Sequence, residues 1–479
     1  MRMRLIALVT LAYVVTPAPC PAAVTTLVNN GPSTNRVDAV FVGDGYTQAN
    51  INAGVYDQHI QSYVSYMFGP GTALNDPFDR YASFFNVHKI DVVSAQSGAD
   101  KPSQGVFVNT ALDATYDTSG VERLLTISNS KANAVRNQNL AGTGITADMQ
   151  LAVINDPKYG GAGGSWAVFA GANSSAHEIA LHELGHSFAN LADEYSDLSG
   201  PYTGGEPSEP NATKNASGAK WARWAGFDDP RGSNLDIGVF QGAKRHSTGA
   251  YRPSSNSKMR SLDQPFDAVS REAFILDVYD LVDPLDDWLD NGALVVATPL
   301  WVDLVDPAVQ AVQWFVDDVL IPGAISETFD AMQFGFGPGD YAIRARAYDR
   351  VLDHVGQGGF LDLVRKDLAR LEQNVSWALS IVAQPGDFNG NGVIGGDDLA
   401  AWGGSFGLQE IAQTADGDAD EDADVDGHDF LIWQQNVTGA AVQPVPEPRA
   451  LAIGLIAAAT LNVVRRSRRN FSHESFSRR

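Results

Sequence analysis

The segment His182-Glu183-Leu184-Gly185-His186 constrains this chain more than any other. In an α-helix, residues four apart share one face, so both imidazoles can reach one metal ion, most simply zinc. Glu183 lies beside them, placed to take a proton from a metal-bound water. The chemistry therefore requires a helix, and the flanks agree. Residues 37–42, 84–93, 149–155 and 166–170 are β-branched or apolar and read as strands. A glycine-rich loop, 159–164, precedes the last of them. Ser175 and Glu178 have the spacing of a capping box, which predicts a helix starting at Ser175. His177 has Leu181 four residues on, so it lacks a metal partner and is placed on the helix flank.

A catalytic zinc takes a third protein ligand. In metzincins the motif continues to Gly-x-x-His, where the glycine breaks the helix and turns the last ligand back. Here that ligand position is Ala192, which cannot bind metal, and Asp193 follows it. Three residues before Asp193 stands Asn190, the non-glycine type that best tolerates the left-handed conformation. A straight helix would carry Asp193 about three turns from His182, so this ligand requires a break at Asn190. Glu194 and His246 are the alternatives. Downstream, Met259 in the polar stretch 249–260 matches the Met-turn that floors a metzincin site.

Taken together these residues resemble the IgA-peptidase family of zinc endopeptidases. The likeness covers most of residues 35–280. It includes Asn35-Arg36-Val37-Asp38, Gly43-Asp44-Gly45-Tyr46, Phe85-Asn86-Val87, Asn155 and Tyr159-Gly160-Gly161. It continues through the motif to Leu191-Ala192-Asp193-Glu194-Tyr195, then Glu209-Pro210-Asn211, Lys220-Trp221, Tyr251-Arg252-Pro253 and Ser257-Lys258-Met259. The resemblance implies a zinc cofactor and a protein or peptide substrate, and leaves that substrate open. Binding specificity is expected in loops such as 200–218.

Residues 387–398 place oxygen side chains at positions 1, 3, 5 and 12 of a calcium loop: Asp387, Asn389, Asn391 and Asp398. Thirty-one residues later Asp418, Asp420, Asp422, Asp424, Asp426 and Asp429 repeat the spacing, with Ala423 where the first loop has Gly392. Trp402 and Trp433 each follow four residues after the last ligand. This resembles a dockerin type I domain, which implies bound calcium and a cohesin-like partner.

The chain has 479 residues and a formal net charge of −24, which argues against a nucleic-acid partner, since a phosphate backbone needs a basic footprint. Its one cysteine, Cys20, lies in a basic-then-apolar start that reads as a signal peptide over residues 1–23. The mature fold would then use no disulfides. At the far end, Val445-Pro446-Glu447-Pro448, an apolar run over 450–464 and four arginines resemble the PEP-CTERM sorting tails of Gram-negative bacteria. That resemblance implies export, transient membrane association through residues 444–479, and a secreted or cell-envelope location.

The expected organisation is an α/β (α+β) metzincin-like zinc peptidase domain over 24–288. A small all-β, immunoglobulin-like domain follows over 289–384, from apparent strands at 293–296, 309–319, 341–348 and 375–382. A small α calcium-binding, dockerin-like module closes the fold over 385–437. The competing reading is a non-catalytic, calcium-dependent adhesion or scaffold protein with a degenerate peptidase-like domain. An intact Glu183 favours the enzyme.

Overall fold

The computed structural model describes residues 24–296, 299–354 and 363–438. The signal peptide and the sorting tail expected from the sequence lie outside them. No helix among the described residues is long and apolar enough to cross a membrane. The chain divides into two compact units: one comprises residues 24–294, 299–329 and 342–378, the other the remaining described residues.

The first unit is organised by a six-stranded sheet in the order β1-β3-β2-β4-β6-β5. The strands are β1 (Val24–Val28), β2 (Val37–Asp44), β3 (Phe85–Ile90), β4 (Met149–Ile154), β5 (Gly161–Ala162) and β6 (Ala167–Ala170). β2, β3, β4 and β6 run parallel, and β1 and β5 are antiparallel edges. Every residue of β2 is buried, as befits a parallel strand covered on both faces. Its side chains alternate between two cores. Val37, Ala39 and Phe41 join the core formed with α2 (Val55–Met67), which follows the short α1 (Gln48–Asn52), and with α4 (Ala176–Ser187). Val40 and Val42 join the core under α3 (Asn129–Leu140). The sheet thus carries the His-Glu-x-x-His helix, α4, on one face.

Beyond α4, a three-stranded sheet in the order β7-β9-β8 is formed by β7 (Ser196–Pro201), β8 (Phe240–Ala243) and β9 (Arg245–Arg252). Helix α5 (Ala268–Tyr279) is buried along almost its whole length. The strands that follow form two small sheets. One is β10 (Leu285–Trp288), β11 (Leu300–Leu304) and β14 (Thr328–Phe329). The other is β12 (Gln310–Val316), β13 (Val319–Leu320), β15 (Gly339–Asp349) and β16 (Glu372–Ile381). Trp314 of one stacks on Phe329 of the other at 5.1 Å and on Trp377 at 5.6 Å.

Two sequence expectations are corrected here. Residues 293–296 form no strand beyond a single bridge at Val295, because Leu294 and Val296 are exposed. The strand is β11, where Leu300, Val302 and Leu304 alternate inward. The expected strand 309–319 is two, since Asp317 and Asp318 both take positive φ and close a two-residue hairpin between Val316 and Val319.

The division between units also differs from the sequence boundary at residue 288. Strands β11 and β12 fall in the same unit as the six-stranded sheet, as does Asp349 at the end of β15. Its fully buried carboxylate accepts from Arg80 at 2.7 Å, from the Tyr81 hydroxyl at 2.8 Å and from the Tyr279 hydroxyl at 2.9 Å.

In the second unit, α6 (Gly396–Ser405) and α7 (Gly427–Asn436) each follow an acidic loop. They pack as a quasi-twofold pair. Trp402 donates its indole N–H to the Asp426 carbonyl at α7's N-terminus, and Trp433 donates to the Gly395 carbonyl at α6's.

Candidate metal centre

Helix α4 holds His182, Glu183 and His186 with their ligand atoms within 4.8 Å of one another. The helix begins at Ala176, but not by the expected capping box. Ser175 makes no side-chain cap. Glu178 instead turns inward, where it accepts from the Tyr66 hydroxyl, from Lys258 at 2.6 Å and from the Asp263 amide at 2.6 Å. A carboxylate buried there needs charge-assisted partners, and Lys258 provides one. His177 sits on the flank, against Ser62 and stacked on Tyr66.

The helix ends where the spacing requires. Asn190 has φ 48°, and the chain folds back so that the Leu191 amide donates to the Gly185 carbonyl at 2.8 Å. This one turn supplies two parts of the site. The Leu191 carbonyl accepts from His186 Nδ1 at 2.7 Å, and Asp193 Oδ1 comes to 3.2 Å from Nε2 of both His182 and His186. His182 Nδ1 is held by the Lys258 carbonyl at 3.0 Å. Each imidazole thus has its Nδ1 proton committed to a carbonyl, which leaves the Nε2 lone pair as the free donor. Two such nitrogens and a carboxylate oxygen converge. Three acceptors meeting at one point fit a cation, and two nitrogens with one oxygen suit zinc with an open position.

Without a cation, a proton is favoured between these groups. Burial disfavours charge on His186, but the hydrogen bond and charge of Asp193 outweigh it and push the imidazole up to about 9. Burial likewise opposes ionisation of Asp193, yet its two histidines hold its carboxyl far below the ordinary range. A metal cation would take the place of the His186 proton. Burial raises Glu183, countered in part by His182 and His186.

Met259 is fully buried beneath the helix. A Cβ on Gly185 would lie 2.7 Å from its sulfur, so a larger residue there would require Met259 to shift. Glu194, an alternative third ligand, faces away. It is buried, accepts from Asn211 at 2.9 Å and from Ser257 at 2.7 Å, and its amide donates to the Met259 carbonyl. Burial and the charge of Asp267 push its carboxyl up to about 8. His246, the other alternative, bonds the Gly200 carbonyl at 3.1 Å and packs on Tyr202.

The loop over 159–164 lies against the motif. A Cβ at Gly161 would meet Glu183 Oε1 at 2.8 Å, and one at Gly163 would meet His186 at 2.4 Å. The resulting cleft, of about 590 Å³, is lined by the metal-site residues together with Tyr159, Tyr195 and three arginines. Tyr195 stacks on His182 at 6.4 Å, and Arg123 lies 5.2 Å from the Tyr195 ring. Sequence reasoning singled out neither Arg123 nor the Glu178–Lys258 pair, because both reach the site from far along the chain.

In the second unit, Asp387 accepts from the Asn391 and Gly392 amides, and Asp398 from those of Phe388, Asn389 and Gly395. Asp429 does the same for Ala419 and Asp426. Asp418 Oδ1, Asp420 Oδ1 and Asp424 Oδ1 are shielded from solvent without a hydrogen-bond partner. Ala423 takes φ 72°, close to the 79° of Gly392.

Residues 25–232 match the family model described as IgA Peptidase M64, a match that spans under half of the 479 residues. It includes α4 and Asp193 and stops before Met259. It supports a peptidase. No curated protein matches the chain.

Proposed function

We propose that this chain is an exported zinc endopeptidase in which His182, His186 and Asp193 hold the metal and Glu183 is the general base. The observation that carries the reading is the approach of two imidazole Nε2 atoms to one carboxylate oxygen, at 3.2 Å each, beside Glu183. When bound, zinc would polarise the scissile carbonyl and acidify water. Glu183 takes the proton of the attacking water and returns it to the leaving amine. Its carboxyl, raised by burial, is suited to both transfers. No covalent enzyme intermediate is needed. Lys258 and Leu191, through their carbonyls, keep both histidines in the metal-binding tautomer. The test compares zinc content and casein cleavage by the full chain with Glu183→Ala. If both proteins carry zinc and neither cuts, the enzyme reading fails.

The remaining segments are assigned supporting roles. Residues 289–384 are read as a small immunoglobulin-like β-sandwich, on the stacking of Trp314 against Phe329 and Trp377. Residues 385–437 are read as a dockerin-like calcium module. Asp387, Asn389, Asn391 and Asp398 would hold one ion, and Asp418, Asp420, Asp422, Asp424 and Asp429 a second. The two registered loops, the exchanged tryptophan bonds and the unpartnered aspartate oxygens support this. Its partner would be a cohesin-like domain. Export through residues 1–23 and transient membrane association through 444–479 complete the reading. Titration with millimolar calcium should change the tryptophan fluorescence; no change would sink the calcium assignment.

A further inference from the structure

We propose that the cleft selects substrates carrying acidic side chains next to the scissile bond, a specificity that rests on the peptidase reading above. The chain as a whole is strongly acidic, at −24, so a positive cleft is unexpected from composition. Yet three arginines line it: Arg123, Arg245 and Arg260. Arg245 makes two bonds of 2.9 Å to Asp197, and Arg123 reaches the same carboxylate at 3.4 Å. Two guanidiniums share one anion, which leaves one positive charge. Arg260 is exposed and donates to the Ser255 carbonyl, not to a carboxylate, which leaves a second.

Glu183 also lines the cleft and carries no ion pair, so it offsets one of these two charges until a metal is bound; the remaining charged groups of the lining are neutralised locally. Lys258 is paired with Glu178, and Glu209 with Lys244. Asp193 is committed to its histidines. Arg123 and Arg260 also stand close to the chemistry in the chain. The Arg123 carbonyl accepts from the Gly161 amide in the loop over Glu183. Arg260 is two residues beyond the carbonyl that holds His182. A guanidinium in this position presents a planar pair of donors that matches a carboxylate. Each exposed pair contributes modestly and is screened by salt, so discrimination needs more than one of them and low ionic strength.

The test uses the full zinc-loaded chain and pairs of fluorogenic peptides, each pair differing only in Glu or Lys on either side of the cut bond. At about 20 mM salt the Glu peptide should be cut about five- to tenfold faster than its Lys twin, with the ratio collapsing toward one at about 0.5 M salt. Arg260→Gln and Arg245→Gln should lower the ratio, and Arg260→Lys, which keeps the charge but not the paired donors, should lower it less than Arg260→Gln. Equal cleavage of the twins, or a ratio untouched in the Arg245→Gln/Arg260→Gln variant, overturns the proposal. A second arm measures binding of the labelled twins to Glu183→Ala by anisotropy. Tighter binding of the Glu peptide supports the proposal even if no peptide is cut, an outcome that would defeat only the peptidase reading. Equal binding overturns it.

Discussion

Four stretches of chain meet at the candidate metal centre: α4, the turn through Asn190 to Asp193, the 159–164 loop and the 257–259 segment. Each acidic loop of the second unit, by contrast, is a single run in which the carboxylates bond the amides of their own neighbours. The first kind of site is held by the fold around it. The second holds itself, and two copies then brace each other through Trp402 and Trp433. The difference teaches where each is vulnerable. Distant substitutions should damage the first, whereas the second should respond to changes inside its loops or at the two tryptophans.

The strongest way to break this contrast is at the ligands. Asp193→Ala should weaken zinc binding by more than the about 10–100-fold expected for loss of an outer partner, measured by chelator competition. Glu183→Gln should keep zinc and lower peptide cleavage by about 10²–10⁴-fold. Unchanged zinc affinity in the first variant would move the third ligand elsewhere.

Next in size is a change remote in sequence. Lys258→Met leaves Glu178 buried without its cation and should destabilise the first unit by about 3–5 kcal/mol, read from denaturant unfolding. Adding Glu178→Gln should recover much of that loss. Neither change should alter the calcium response of the second unit.

Acidity separates the sites further. His186 is raised to about 9 by Asp193, so below that pH a proton must leave before a metal enters. Zinc affinity should therefore fall by up to about tenfold per unit as pH drops below 9. The sign reverses for the metal-free fold. A raised histidine stabilises it at low pH, and that contribution disappears as pH rises through about 9. At the proposed calcium sites, the carboxylate and amide ligands of the first loop should give a flat response between about pH 6 and 9, whereas at the second loop His428, raised by its bond to Asp420, should compete for that ligand as pH falls. The smallest effect is expected at Ala423→Gly. Its φ of 72° strains an alanine by about 1 kcal/mol, so glycine should tighten the second calcium site about fivefold. An unchanged titration would mean that the strain is the same in the empty and the occupied loop.

These local and non-local constructions also explain what could be read from the sequence. The Asn190 turn and Asp193 were legible because the geometry is fixed within one run of residues: a helix of known pitch must break before the ligand can return. The helices that follow the two acidic loops were expected for the same reason. Glu178 was misread as a capping residue because its true partner, Lys258, lies 80 residues on. Strand β11 was displaced to 293–296 because an unbroken apolar run hid the cleaner alternation of Leu300, Val302 and Leu304. The arginines of the cleft come from three separate elements, and no spacing rule joins them.

Asp349 has a bearing on how this protein could be trimmed. A cut after residue 288 is attractive on sequence grounds, since it keeps every motif of the metal centre. It would also discard the carboxylate on which the Tyr81 and Tyr279 hydroxyls and Arg80 converge. Each orphaned buried hydroxyl costs about 1–3 kcal/mol, a large part of what holds an ordinary domain together. The shortest fragment carrying the metal-binding motifs would thus be a poor reagent, and the C-terminal strands belong in any working enzyme.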